Sequence, residues 1–328
     1  MAQPSWSIIR GATKSNRTIP VNTPVALILF NRADTTARVF AEIARAKPKK
    51  LFLIADGPRP QVATDTEKCA AARAVVARVD WECDVQRKFS DSNLGCGMCP
   101  ATGLTWVFKQ VDRAIVLEDD CVPDPTYFPF CDEVLERYRD DERIMHVAGN
   151  NFQNQPRPGD VSYFFSRHSI CLGGWATWAR AWRHYDIELK RWPALRSTPW
   201  LEYIVGEPRG AAVWRRIFDE AHAAGTRATY SDYQWTFTCW AENGLSVIPN
   251  VELCRNIGFD SDATHVFSAD CPWRVAQTEP MKFPLVHPPS VTPDAAADLA
   301  FNARVLVAEG VGPQGLRERI SQALTAFK

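Results

Sequence analysis

Three consecutive acids, Glu118-Asp119-Asp120, follow the apolar run Ala114-Ile-Val-Leu117 without a break. Carboxylates this close repel one another unless a positive charge lies between or beside them. A hard divalent cation, Mn2+ or Mg2+, meets that need through oxygen ligands and shares its remaining coordination with substrate phosphates. The triplet therefore reads as a metal-and-phosphate site, and His265 is a further candidate for the metal or the phosphate. The opposing reading is that acids after a strand only cap the next turn. Asn31-Arg32, after the apolar Val25–Phe30, places a guanidinium where a diphosphate would lie. Asp56, after Leu51–Ala55, offers an acceptor to a ribose or base donor, and the turn Asp91-Ser-Asn-Leu-Gly95 follows a third strand. Trp175 comes after two glycines that let backbone approach a ligand closely, which makes it a candidate to stack on a sugar.

Those residues sit where an open α/β sheet binds ligands, outside the carboxyl ends of its strands. Val25–Phe30, Leu51–Ala55, Asp84–Phe89 and Ala114–Leu117 read as strands, the apolar ones short enough to be buried on both faces. Between them, Asp34 is placed to cap a helix carrying Val39, Phe40 and Ile43. Thr64-Asp-Thr-Glu67 forms a capping box opening a helix to about Val79, and Pro100 suits the first turn of a helix to about Gln110. Asp124 and Pro125 open a further helix with Phe128, Cys131, Leu135 and Tyr138 on one face. Ile144–Ala148 makes a fifth strand, with His146 a satisfied core residue. Trp175, Trp178 and Trp182 lie at helical spacing. The expected fold is a mostly parallel, Rossmann-like central sheet flanked by helices. It is one continuous domain with a nucleotide-sugar half at 22–151, a donor-sugar and acceptor half at 152–270, and a C-terminal extension at 271–328.

The segment Leu117-Glu-Asp-Asp-Cys-Val-Pro-Asp-Pro-Thr-Tyr-Phe128 resembles the metal-binding stretch of GT-A-fold glycosyltransferases. It is most similar to the inverting N-acetylglucosaminyltransferase that starts complex N-glycans, and to bacterial glycosyltransferase-like proteins of polysaccharide clusters. Asn93 to Cys96 and Gly174 to Trp178 match further shared segments, and the resemblance spans roughly 24–270. It implies Asp120 as the metal ligand, Asp119 facing the ribose, Glu118 the donor sugar, and Arg32 and Asp56 near the phosphate and the uracil, with Asn31 and Asn93 as further donor-binding candidates. Ser231-Asp-Tyr-Gln-Trp235 is similar to the segment holding the catalytic base, which points to Asp232, whose bland alternative is a helix N-cap. Asn256 to His265 looks like the loop that closes over the diphosphate. The implied reaction moves a sugar, N-acetylglucosamine as first guess, from a UDP-sugar to a hydroxyl of a bacterial surface glycan or lipid-linked precursor. The Golgi enzymes carry a membrane anchor that this chain lacks, which argues against a Golgi glycoprotein acceptor.

Composition narrows the field. The chain has 328 residues, 46% hydrophobic and 23% charged, with 38 basic against 38 acidic side chains. A zero net charge removes the basic footprint of a nucleic-acid binder. No stretch is long enough to span a membrane, and the first residues lack a signal-peptide core, so a cytoplasmic chain working at the inner membrane face is expected. Gly315 to Lys328 has the pattern of a terminal amphipathic helix, packed or touching a membrane. The cysteines read as reduced thiols, with Cys96-Gly-Met-Cys99 the one close pair. Eight of the 12 tryptophans fall between Trp175 and Trp240, in the expected sugar half. Three other readings stand beside the transferase: a metal-dependent phosphotransferase, a nucleotidyltransferase without its usual Gly-rich loop, and a catalytically silent glycan- or nucleotide-binding protein.

Overall fold

The computed structural model describes residues 21–153, 160–258, 273 and 277–310. In the first half, β1 (Val25–Leu29), α1 (Ala33–Ala46), β2 (Lys50–Ala55), α2 (Asp65–Val75), β3 (Asp84–Phe89), α3 (Gly95–Phe108) and β4 (Arg113–Glu118) alternate as expected. The four strands run parallel in the order β3-β2-β1-β4. β1 is buried throughout because its side chains alternate between two apolar layers. Val25, Leu27 and Leu29 join Leu51, Leu53, Ile115 and Leu117 on one face. Ala26 and Ile28 join Phe52, Ile54 and Val116 on the other. Helices cover both, which is why these strands carry continuous apolar runs.

The second half adds β5 (Cys121–Pro123), α4 (Tyr127–Arg137), β6 (Ile144–Ala148), β7 (Tyr163–Ser166), β8 (Trp175–Trp178) and α5 (Ala179–Trp182). It continues through α6 (Trp192–Arg196), α7 (Trp200–Val205), α8 (Pro208–Ala224), α9 (Asp232–Ala241), β9 (Leu245–Pro249), β10 (Cys254–Asn256) and α10 (Ala295–Ala308). The main sheet extends as β4-β8-β6-β9-β7. β8 lies antiparallel between β4 and β6, and β7 antiparallel to β9, so six of the eight strands share one direction. β5 and β10 pair separately as an antiparallel ribbon. The mostly parallel α/β sheet is thus the expected one. Helices α6 to α10 enclose a further aromatic core that includes Trp192, Trp214, Phe218, Phe237, Trp240 and Phe301.

Local starts and stops depart from the sequence reading where a distant group intervenes. Arg32, not Asp34, stands at the N-cap of α1, and Asp34 lies in the first turn, where it favours the positive end of the helix. The Thr64 side chain makes no cap bond, and α2 ends at Val75. α3 starts at Gly95 and carries Pro100 inside it, because the Asp56 carboxylate accepts the backbone N–H groups of Leu94 (2.8 Å) and Gly95 (2.9 Å) one turn earlier. Asp124 closes the turn before α4 by accepting from Thr126 N and Oγ1, and the N-cap itself is Thr126. Trp175 to Trp178 is a strand, not a helix, since β8 must fill the gap between β4 and β6. Gly315 to Lys328 and His265 lie outside the described residues. Among the described residues, no helix is long and apolar enough to cross a membrane.

Candidate active site

The turns after β1 and β4 face each other across neighbouring strands, with Ile28 in register with Glu118. Because Arg32 is the N-cap of α1, its side chain can reach across to the acids after β4. Its Nη2 lies 2.5 Å from Asp119 Oδ1 and 2.8 Å from Asp120 Oδ2, with all three side chains largely buried. The second oxygen of Asp119 accepts from Phe30 N at 3.1 Å. Asp120 Oδ1 takes the Cys121 thiol and Asn256 Nδ2, each at 3.3 Å. The start of the late loop is tied to the same acid, with Ile257 N donating to the Asp120 carbonyl at 2.8 Å. A Cβ on Gly258 would collide with Asp120 Oδ2 and crowd the Arg32 guanidinium, so this position needs glycine.

These acids line a cleft of about 690 Å3 together with Arg32, Asp56, Asn93 and Asp232. Its size is in the range that holds a drug-sized ligand. Asp232 comes from the first turn of α9, after the N-cap Ser231, and not from the cap position itself. Its carboxylate is near enough to Glu118 to act on it: crowding by protein, then the charges of Asp120, Asp232 and Asp119, hold the Glu118 carboxyl above the ordinary carboxylate range. Glu118 also keeps surface open to the solvent in the cleft, which tempers that rise. Burial pushes Asp119 up to about 6, opposed by the Arg32 guanidinium. Burial works to lower the Arg32 pKa, and the Asp119 and Asp120 carboxylates outweigh it, so the guanidinium stays charged.

A metal here would bind through the acid triplet. The oxygens have the right chemistry for a hard cation. Yet the position between Asp119 and Asp120 holds the Arg32 guanidinium, and both Asp120 oxygens already have partners. Among the described residues, no group of three His, Cys, Asp or Glu side chains is placed to hold a metal ion. As arranged, the Arg32 guanidinium supplies the positive charge beside Asp119 and Asp120 and fills the position a cation would take there; His265, the other expected ligand, lies outside the described residues.

Other expected site residues have different work. Asp56 is 6% exposed and receives four donors: the backbone N–H groups of Gly57, Leu94 and Gly95, and Asn93 Nδ2 at 3.0 Å. Its lone pairs are filled, so it is an anchor for the α3 N-terminus and not an open acceptor for a base. Asn93 gives its amide to Asp56 and to the Gly57 carbonyl. Asn31 turns to Asp65, whose buried carboxylate also takes Arg59 Nε at 2.6 Å. Trp175 is 5% exposed, with His146 stacked at 5.5 Å and Trp235 and Trp182 close by, so no sugar reaches its face. His146 is the expected core residue: Nδ1 accepts from Trp235 Nε1 and Nε2 therefore donates to the Ile170 carbonyl. Burial pushes the Cys99 thiol up to about 12, the wrong direction for a reactive pair with Cys96. Sequence reasoning missed His168 and Trp214, which also line the cleft. Neither stands in a pattern that marks it, since the chain brings them together from a loop and from α8.

No protein-family model matches the chain, and no curated protein matches it. Among solved structures it is similar to S. aureus TarS 1-349, at 10% identity over 51% of this chain and 49% of that one, with a TM-score of 0.32. It thus spans about half the length of that protein. It is also similar to mouse xyloside xylosyltransferase 1, at 12% identity over 66% of this chain and 81% of that one, TM-score 0.32. A third likeness is to UDP-glucose pyrophosphorylase complexed with UDP-glucose, at 7% identity over 50% and 78% of the chains, TM-score 0.29.

Proposed function

We propose that the chain is an inverting glycosyltransferase of GT-A type, moving a sugar from a UDP-sugar to a hydroxyl of a bacterial surface glycan or lipid-linked precursor. N-acetylglucosamine is the first choice of sugar, on the resemblance alone. The observation that carries the reading is the convergence of Arg32, Glu118, Asp119, Asp120 and Asp232 on one cleft at the carboxyl ends of parallel strands. Asp232 takes the proton of the acceptor hydroxyl as its oxygen attacks the anomeric carbon. The bond from that carbon to the diphosphate oxygen breaks as the new one forms, which inverts the centre. Arg32, held beside the two carboxylates through Nη2, offsets the charge of the departing diphosphate.

The test is UDP binding and UDP release with a panel of UDP-sugars, each with Mn2+ and with chelator. Absence of UDP binding under both conditions refutes the reading. Asp232→Asn is expected to keep UDP binding and to lose transfer by about 10²–10⁴-fold; undiminished transfer removes Asp232 from the role. One observation favours the silent-binder alternative, namely the arginine in the cation position. UDP binding without turnover on any acceptor would select it.

A further inference from the structure

The end of the cleft away from the acids has a composition of its own. His168 is 1% exposed, and both of its ring nitrogens lack a hydrogen-bond partner. Trp214 is 4% exposed, and its indole N–H likewise lacks one. Both side chains line the cleft. Buried polar atoms are nearly always paired, and three unpaired ones on two residues that line one cavity point to a ligand. The His168 ring is held in place by aromatic neighbours: Phe301 at 4.6 Å, Trp240 at 5.4 Å and Trp214 at 6.3 Å. This end joins the acids through α9, where Thr236 lies one turn beyond Asp232 on the same helix face and pairs with Ser169 at 3.1 Å.

We propose that this end of the cleft is a subsite for a neutral sugar ring of the acceptor, bound by His168 and Trp214. Burial keeps His168 neutral, its pKa lowered to about 4, so one ring nitrogen donates and the other accepts. A hydroxyl both donates and accepts, and two hydroxyls of one ring satisfy the imidazole and the indole N–H together. The C–H face of a pyranose suits the apolar wall of Phe301 and Val305. An alkyl chain would leave all three nitrogens unpaired. That the ring belongs to an acceptor rests on the transferase reading; that a ring binds here does not.

The experiment uses the full chain with [15N]-histidine, following the His168 ring signals, assigned with His168→Phe, by long-range proton–nitrogen spectra. Methyl glycosides of glucose, galactose, mannose and N-acetylglucosamine are titrated with and without UDP, and UDP binding is measured separately. Saturable shifts at His168 with at least one glycoside are expected, with affinity reduced about tenfold or more in Trp214→Phe while UDP binding is kept. No shift with any glycoside while UDP binds overturns the subsite and leaves the nucleotide reading standing. Glycoside affinity unchanged in Trp214→Phe also overturns it. Glycoside binding at His168 without UDP binding upholds the subsite and refutes the nucleotide reading. The wild-type titration decides even where a variant fails to fold.

Discussion

Replacing Arg32 by methionine keeps the aliphatic stem and deletes the cation between Asp119 and Asp120. The guanidinium is 17% exposed, and its carboxylate partners 5% and 11%, so the charges left behind are poorly solvated. Breaking a buried pair by removing one partner costs about 3–5 kcal/mol. The structure adds a sign to that figure. Without Arg32, the folded-state pKa of Asp119 rises further above its unfolded value, from about 6. A group raised in this way contributes stability that is present below the unfolded pKa and lost as pH rises through the folded one. The penalty should therefore be small near pH 4 and largest above pH 7, growing by up to about 1.4 kcal/mol per pH unit for each carboxyl that would stay protonated. The assay is urea unfolding followed by tryptophan fluorescence at several pH values. At neutral pH, the midpoint should fall by about 1 M. Adding Asp119→Asn should return much of the loss, because the two changes share one interaction. A loss that is equal at all pH values, or that grows on acidification, would refute the assignment of Arg32 as the resident cation.

Other predictions follow from buried groups around the cleft. Asp56→Ala strands the N–H groups of Gly57, Leu94 and Gly95, and should cost about 2–4 kcal/mol. Amide exchange should rise at Leu94 to Cys96; unchanged exchange with loss of UDP binding alone would restore Asp56 as a base contact. Burial lowers the pKa values of His146 to about 3 and His168 to about 4. Both are favoured neutral in the fold, so stability is whole above the unfolded pKa of about 6.5 and falls below it, by about 4 kcal/mol at pH 5. His168→Phe should remove close to half of that acid sensitivity in denaturant titrations at several pH values, and an unaltered slope would contradict a buried neutral imidazole.

Much of the fold was legible because the parallel strands are buried on both faces. β1, β2, β4 and β6 announce themselves as apolar runs, and even the half-polar β3 is marked in the sequence, at Asp84–Phe89. The acids and Arg32 were legible because a strand end in such a sheet has one place to go. What escaped reading depends on partners far away in the chain. Nothing near Gly95 says that α3 begins there; the cap comes from Asp56, nearly 40 residues earlier. Nothing in Gly-Trp-Ala-Thr-Trp distinguishes a strand from a helix; the vacancy between β4 and β6 decides it. The need for a cation beside the triplet was legible, but not that an arginine supplies it. The two faces of Asp65, holding Asn31 and Arg59, were hidden behind an apparent capping box.

The tryptophans show how position and chemistry divide the work. Their concentration between Trp175 and Trp240 places most of them in the half expected to hold sugar. Yet Trp178, Trp192, Trp235 and Trp240 are among the most deeply buried side chains. Seven of the ten residues of α9 are buried, and Trp235, Phe237 and Trp240 anchor it. Trp235 donates to His146 and packs 5.7 Å from Trp175 and 5.2 Å from Trp182, directly linking α9 to the inserted strand β8. β8 in turn pairs with β4, the strand that ends in Glu118. The separation of Asp232 from the acid triplet is thus fixed by a stack of interlocked rings. Interiors packed in this way resist sub-ångström displacement far better than a loop could. Trp214 departs from the pattern: it is just as buried, but its N–H is left unspent at the cleft wall. Core indoles elsewhere in this half, such as Trp192 and Trp240, give theirs to Asp219 and the Arg167 carbonyl. A ring that pays the cost of burial without its bond is where a scaffold residue most plainly serves a ligand.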